Sequence, residues 1–139
     1  MKILFMCVAN SARSQLAEGL AKQLFPTAEI RSAGSQPGKL NPFAVVAMRE
    51  IGIDISSHYA KAVENLPHEF LLTLDYVITL CAEEVCPTVI APGALRLHWP
   101  FPDPANREIL PESEMEMRFR AARDAIGARL REFKAGIEK

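Results

Sequence analysis

The chain has 139 residues, of which 49% are hydrophobic and 24% charged. These are ordinary values for one globular domain and exclude intrinsic disorder. Net charge is −1, from 16 basic and 17 acidic residues, which leaves no electrostatic footprint for nucleic acid or an anionic membrane. The apolar runs are only a few residues long, too short to cross a bilayer. The apolar start gives way at once to polar Asn10–Gln15, too early for a signal peptide, so a cytoplasmic location is expected. Cys7, Cys81 and Cys86 are the three cysteines; an odd number argues against a disulfide framework.

Lys2–Met6 reads as a short buried strand. Leu16, Ala17, Leu20, Ala21 and Leu24 then share one helical face, with Pro26 just past its end. Ala28–Ala33 is a second strand, stopped by Gly34, and residues 35–39 are loop by composition. Asn41 and Pro42 suit an N-cap and first helical position; Val45, Met48 and Ile51 follow as the inward face, and Gly52 ends the helix. Residues 54–66 show no clear pattern. A short helix is expected over 67–72, and Asp75–Leu80 is the clearest strand, rich in β-branched residues. Leu95–Trp99 is the fourth strand, after which Pro100, Pro102 and Pro104 force an extended loop. Met115, Phe119, Ala122, Ile126, Leu130 and Phe133 mark a long amphipathic helix, with Ser113 and Glu116 as its capping box. Strands alternating with helices predict an α/β fold: one domain over 1–139, three αβα layers and a four-stranded parallel sheet with right-handed crossovers.

Open parallel sheets bind ligands beyond the carboxyl ends of their strands. Cys7, Cys81 and Asp103 all fall there on this reading. Cys7 opens the loop Cys7-Val8-Ala9-Asn10-Ser11-Ala12-Arg13-Ser14, a C-x5-R-S pattern between a strand and a helix. Such a turn aims backbone N–H groups and the positive end of the helix dipole at one point. Arg13 adds a planar fork suited to a tetrahedral oxyanion, and the same field favours the thiolate of Cys7. The loop therefore holds an oxyanion and offers a nucleophile to its central atom. Asn10 suits a left-handed turn, and Ser14 suits a hydrogen bond to Cys7 together with a capping role. The plainer alternatives are an incidental cysteine at a strand end and an ordinary loop aspartate. His58 and His68 read as surface or packing residues, and Trp99 as core. No GxxxxGK[ST] or GxGxxG pattern supports nucleotide binding.

The loop resembles that of the low-molecular-weight tyrosine phosphatase superfamily, and within it the thioredoxin-coupled arsenate reductases. The matching pieces are Asn10-Ser11-x-Arg13-Ser14-Gln15-x-Ala17-Glu18-Gly19, Ser32-Ala33-Gly34, Asn41-Pro42, Gly52–Ser56, Val77–Cys81, His98-Trp99 and Asp103-Pro104-Ala105. They cover nearly the whole chain. Phosphatases usually have Pro at Gln15 and aromatic residues where Ala105-Asn106 stand, and they lack the Cys81/Cys86 pair. Many reductases have cysteine at Ala12, and their spacing between the last two cysteines often differs from the four residues found here.

The resemblance implies strand order 2-1-3-4 and a monomer. It implies arsenate reduction for arsenic resistance, with phosphate or sulfate as competing oxyanions. Cys7 would form the arsenate adduct, with Asp103 as general acid. Cys81 would expel arsenite and Cys86 would carry the disulfide outward to thioredoxin. No tightly bound cofactor or metal is implied, apart from a potassium ion whose family site maps one side chain onto Glu18. The alternatives are a phosphatase hydrolysing phosphomonoesters, with Cys81 and Cys86 as bystanders, and a thiol metal-binding or metalloid-sensing module built on Cys81, Cys86 and His98.

Overall fold

The computed structural model describes residues 1–82, 89, 91–105 and 110–137. In chain order the elements are β1 (Lys2–Cys7), α1 (Arg13–Leu24), β2 (Glu29–Gly34), α2 (Pro42–Arg49), a single 3-10 turn (Val63–Asn65), α3 (His68–Leu72), β3 (Tyr76–Thr79), β4 (Leu95–His98) and α4 (Glu112–Ile137). The four strands form one sheet of order β2-β1-β3-β4, and every pairing is parallel. This is the expected fold class and strand order.

β1 is central and buried along residues 3–7. A parallel strand covered on both faces reads as a continuous apolar run, and successive side chains alternate between the faces. Ile3 and Phe5 join the core formed with Leu16, Leu20, Met48, Phe119, Ile126 and Leu130, the side of α1, α2 and α4. Leu4 and Met6 join the opposite core with Leu66, Phe70, Leu74 and Val77, the side of α3. The sheet thus has helices on both faces. Within the larger core, Phe133 stands edge-on to Phe25, Tyr76 and Trp99, with centroids 5.0–6.1 Å apart.

Several boundaries differ from the sequence reading. Gly34 does not stop β2; it is its last residue and pairs with Cys7. The inward face of α2 is Ala44, Ala47 and Met48, while Ile51 lies beyond the helix and is exposed. Helical spacing governs side-chain direction only up to Arg49, the last residue of α2, so a step of three from Met48 no longer places Ile51 on the inward face. Asn41 does cap α2, its side chain accepting from the Phe43 N–H. Gly52, with φ +80°, shapes the turn after the helix instead of terminating it directly. α4 begins at Glu112, so Ser113 is inside it and makes no capping box. The Pro111 carbonyl accepts from Glu114 and Met115 N–H, and Glu112 and Glu114 suit the positive helix end. Among the described residues no helix is long and apolar enough to cross a membrane.

Candidate active site

The site grows from the carboxyl end of β1. Cys7 ends the strand and Arg13 begins α1, so residues 8–12 make a tight connection over the helix N-terminus. The connection needs one left-handed residue, Asn10, with φ +50°. It also needs space beside it. A Cβ on Gly34 would lie 2.3 Å from the Val8 carbonyl oxygen and 3.0 Å from the Asn10 nitrogen. Gly34 is therefore glycine because the loop backbone passes against it.

The hydrogen bonds behind Cys7 are directed by groups that can act in only one way. The Lys61 backbone N–H donates to Asn10 Oδ1 at 3.0 Å, which orients the amide. Asn10 Nδ2 then donates to Ser14 Oγ at 2.7 Å and to Ser32 Oγ at 3.0 Å. Ser14 Oγ also lies 2.8 Å from Cys7 Sγ, and toward a thiolate at Cys7 its hydroxyl can only donate. Ser32 likewise donates to Glu18 Oε1 at 2.6 Å. Asn10 Oδ1 also accepts from Gln15 Nε2 at 3.1 Å. Asn10, Ser14, Gln15 and Ser32 are all completely buried, and each is satisfied, as burial of polar groups demands. Ser14 sits inside the first turn of α1, so its hydroxyl serves Cys7 and no cap; Ala12 holds the N-cap position without a side-chain bond.

Arg13 is buried, and its Nη1 donates to the Phe101 carbonyl at 2.9 Å and the Leu80 carbonyl at 3.4 Å. It thereby joins the Cys7 loop to the residue before Cys81 and to the approach of Asp103. Asp103 itself is exposed, its Oδ1 accepting from the Ala105 N–H at 3.0 Å. Sheet register brings Cys81 near Cys7. Met6 pairs with Thr79, and Leu80 N–H continues the ladder to the Met6 carbonyl. Cys81 thus starts one residue past the level of Cys7 on the adjoining chain segment, where strands lie about 4.8 Å apart. Cys7 is a buried free thiol; Cys81 is buried and disulfide-bonded. Cys86 and Asn106 lie outside the described residues. His98 meets Thr79 Oγ1 at 2.7 Å through Nδ1, and among the described residues no group of three His, Cys, Asp or Glu could hold a metal.

The sequence reading missed the support behind the loop. Glu18, on the buried length of α1, faces Lys22, His58 and Lys61 at 2.7, 3.5 and 3.8 Å. Burial raises its pKa, but hydrogen bonds from Lys22 and Ser32 and the nearby His58 and Lys61 outweigh this and hold it below the ordinary value. Burial pulls His58 down against the attraction of Glu18 and does the same to Lys61. His58 Nδ1 also meets Gln15 Oε1 at 3.0 Å. The available signal was Glu18 on the inward side of a helix, where an acid needs a partner. The partners sit in the irregular stretch 54–66, where periodicity carries no information.

The model of the low molecular weight phosphotyrosine protein phosphatase family matches residues 2–139. This chain belongs to that family. The arsenate reductase of Bacillus subtilis (strain 168) is 43% identical to it over 134 residues, 94% of this chain and 93% of the relative. A solved arsenate reductase in the phosphate binding state is 30% identical with a TM-score of 0.74, covering 98% of both chains. The thioredoxin-dependent arsenate reductase of Corynebacterium glutamicum is 30% identical with a TM-score of 0.72, over 99% of this chain and 61% of that one. The family membership agrees with a loop built around one thiol, one arginine and the N-terminus of α1.

Proposed function

We propose that this protein is an arsenate reductase that hands its oxidising equivalents to thioredoxin. The observation that supports this reading is the register, in which Cys81 follows one residue past the level of Cys7 on the neighbouring chain segment, in a family member 43% identical to an arsenate reductase. Residues 8–14 cradle the oxyanion with backbone N–H groups and Arg13 supplies a bidentate fork. Phosphate and sulfate, with the same shape, compete for the cradle. Ser14 Oγ lies 2.8 Å from the Cys7 sulfur and donates to it once Cys7 is the thiolate nucleophile.

Cys7 attacks arsenic and an As–O bond breaks, the departing oxygen leaving as water with a proton from Asp103. Asp103 is exposed in this structure, on the segment after β4 whose Phe101 carbonyl is held by Arg13. Cys81 then attacks the Cys7 sulfur. The sulfur–arsenic electron pair stays with arsenic, which leaves as arsenite, and a Cys7–Cys81 disulfide forms. Cys86 attacks Cys81, frees Cys7 and presents a Cys81–Cys86 disulfide to thioredoxin. In total, arsenate and two thiols give arsenite, water and one disulfide. The protein works in the cytoplasm, as a monomer.

The phosphatase reading uses the same cradle and differs only in the fate of the adduct, so one paired assay decides. Arsenite release is followed with thioredoxin, thioredoxin reductase and NADPH, beside hydrolysis of an aryl phosphate. Cys81→Ser and Cys86→Ser are each expected to abolish multiple turnovers of arsenate while leaving any aryl phosphate hydrolysis intact. Arsenate turnover by either variant at the wild-type rate would refute the relay. Equal loss of both activities would make these cysteines structural.

A further inference from the structure

The charged cluster behind the loop is not needed to explain the relay, yet it reaches Cys7 in four hydrogen bonds. From Cys7 the path runs through Ser14, Asn10 and Ser32 to Glu18 Oε1. Lys61 belongs to it twice. Its backbone N–H holds Asn10 Oδ1, and its carbonyl accepts from Gly34 N–H at 2.9 Å. Its ammonium lies 3.8 Å from Glu18 Oε1 and 3.4 Å from the Tyr59 carbonyl, over the Tyr59 ring at 5.1 Å.

Glu18, Ser32 and the Tyr59 carbonyl are oxygen donors of the kind a hard cation takes. Here the positive charge among them is already covalently attached. The Lys61 side chain is only 11% exposed, against 47% for Lys22. Lys22 reaches the other carboxylate oxygen, Oε2, from the solvent side at 2.7 Å, whereas Ser32 and Lys61 share Oε1, the oxygen that leads to the loop. A potassium ion beside Glu18 would meet the Lys61 ammonium at close range in a half-buried site, and the repulsion there is poorly screened.

We propose that Lys61 is an internal cation: its ammonium holds Glu18, and through Ser32 and Asn10 the oxyanion loop, in the place of a bound potassium ion. Lys61 is a positioning residue, and the loop reaches its binding geometry without any added cation.

The proposal rests on the loop binding an oxyanion, whether the adduct is later reduced or hydrolysed. The test measures thermal midpoints, and the affinity for inorganic phosphate by calorimetry, in potassium chloride and in choline chloride at matched ionic strength. The wild-type chain is expected to give the same midpoint and affinity in both salts. Lys61→Ala is expected to bind phosphate about tenfold more weakly in choline chloride, on the scale of one lost charged contact. Potassium chloride should then restore most of the affinity and raise the midpoint, because an oxygen-lined space has opened beside Glu18. Lys61→Arg should behave as wild type. Lys22→Ala, which removes the same charge from the same carboxylate at the surface, should leave phosphate affinity unchanged in both salts.

A potassium-specific rise in the wild-type midpoint would overturn the proposal, as would wild-type phosphate affinity in Lys61→Ala. Loss of affinity in Lys61→Ala that potassium does not restore would also overturn it. Should Lys61→Ala fail to fold, Lys61→Gln is read in the same way, and the wild-type salt comparison stands by itself. Failure of the wild-type chain to bind phosphate in either salt would overturn both the oxyanion reading and this proposal. Potassium-sensitive but intact phosphate binding would overturn only this one.

Discussion

Arg13 does two jobs with one planar group. Its Nη1 holds the carbonyls of Phe101 and Leu80, and its planar guanidinium opens α1 at the end of the loop that is shaped to receive an oxyanion. A lysine keeps the charge but can reproduce neither the bidentate geometry nor the simultaneous tie to two carbonyls. Arg13→Lys is therefore expected to lower kcat/KM for arsenate by roughly a hundredfold or more, the scale of losing an aimed donor in a closed site. Steady-state arsenite release gives the answer; kinetic constants equal to wild type would assign the arginine a purely structural part.

At the scale of elements, the loop depends on β2 as much as on its own residues. Gly34 is in the strand, and a methyl group there would press on Val8 and Asn10 backbone, which cannot swing aside as a flexible side chain can. Gly34→Ala is expected to destabilise the fold by about 1–3 kcal/mol, the range for forced overpacking, and to weaken phosphate binding at the loop as well. Denaturant unfolding with and without phosphate separates the two effects. A second expectation concerns the stretch that opens at Cys81. In the proposed relay its sulfur reaches Cys7 in one step and Cys86 in the next, and Cα atoms more than about 7 Å apart cannot be bridged. Were residues 81 and 86 on one regular helix, they would rise about 7.5 Å along it and point to different sides. Residues 83–88 lie outside the described residues; the relay predicts local refolding over 81–87, with Pro87 limiting its spread. Amide exchange over 80–92 is expected to differ between the reduced and Cys81–Cys86 oxidised forms; identical protection, with the disulfide confirmed by mass spectrometry, would rule the refolding out.

For the whole molecule, the Glu18 cluster links stability to pH. Both Glu18 and His58 have pKa values lowered by folding. A group whose folded pKa is depressed gives stability above its unfolded pKa, and that stability is lost as pH falls through the folded value. His58 begins to lose its share below its ordinary value of 6.5. Glu18 begins below 4.5, its own ordinary value. The thermal midpoint is expected to fall between neutral pH and about pH 5 by less in His58→Gln than in wild type. Below that, Glu18→Gln should flatten the acid limb. Parallel acid limbs in wild type and both variants would show that the cluster does not couple to unfolding.

The sequence by itself determined the fold class, the strand order through its family resemblance, and the loop chemistry. All three are carried by local signals: apolar runs of strand length, the 3.6-residue spacing of Phe119, Ile126, Leu130 and Phe133 along α4, and a compact C-x5-R-S pattern joining a strand to a helix. Tertiary structure alone decided what holds that loop in shape. Gly34 is 27 residues from Cys7 in sequence yet its register partner, so only strand pairing reveals why it must be glycine. Lys61 and His58 lie in a stretch without periodicity and acquire their roles because β2 and the chain after α2 carry them to Glu18. Sequence suits Ser14 both to capping and to Cys7; its place inside the first turn of α1, with Ala12 at the N-cap, leaves its hydroxyl to Cys7 and Asn10. Local pattern reports which groups prefer which backbone; the direction of a buried hydrogen bond depends on every neighbour at once, and those neighbours meet only when the sheet closes.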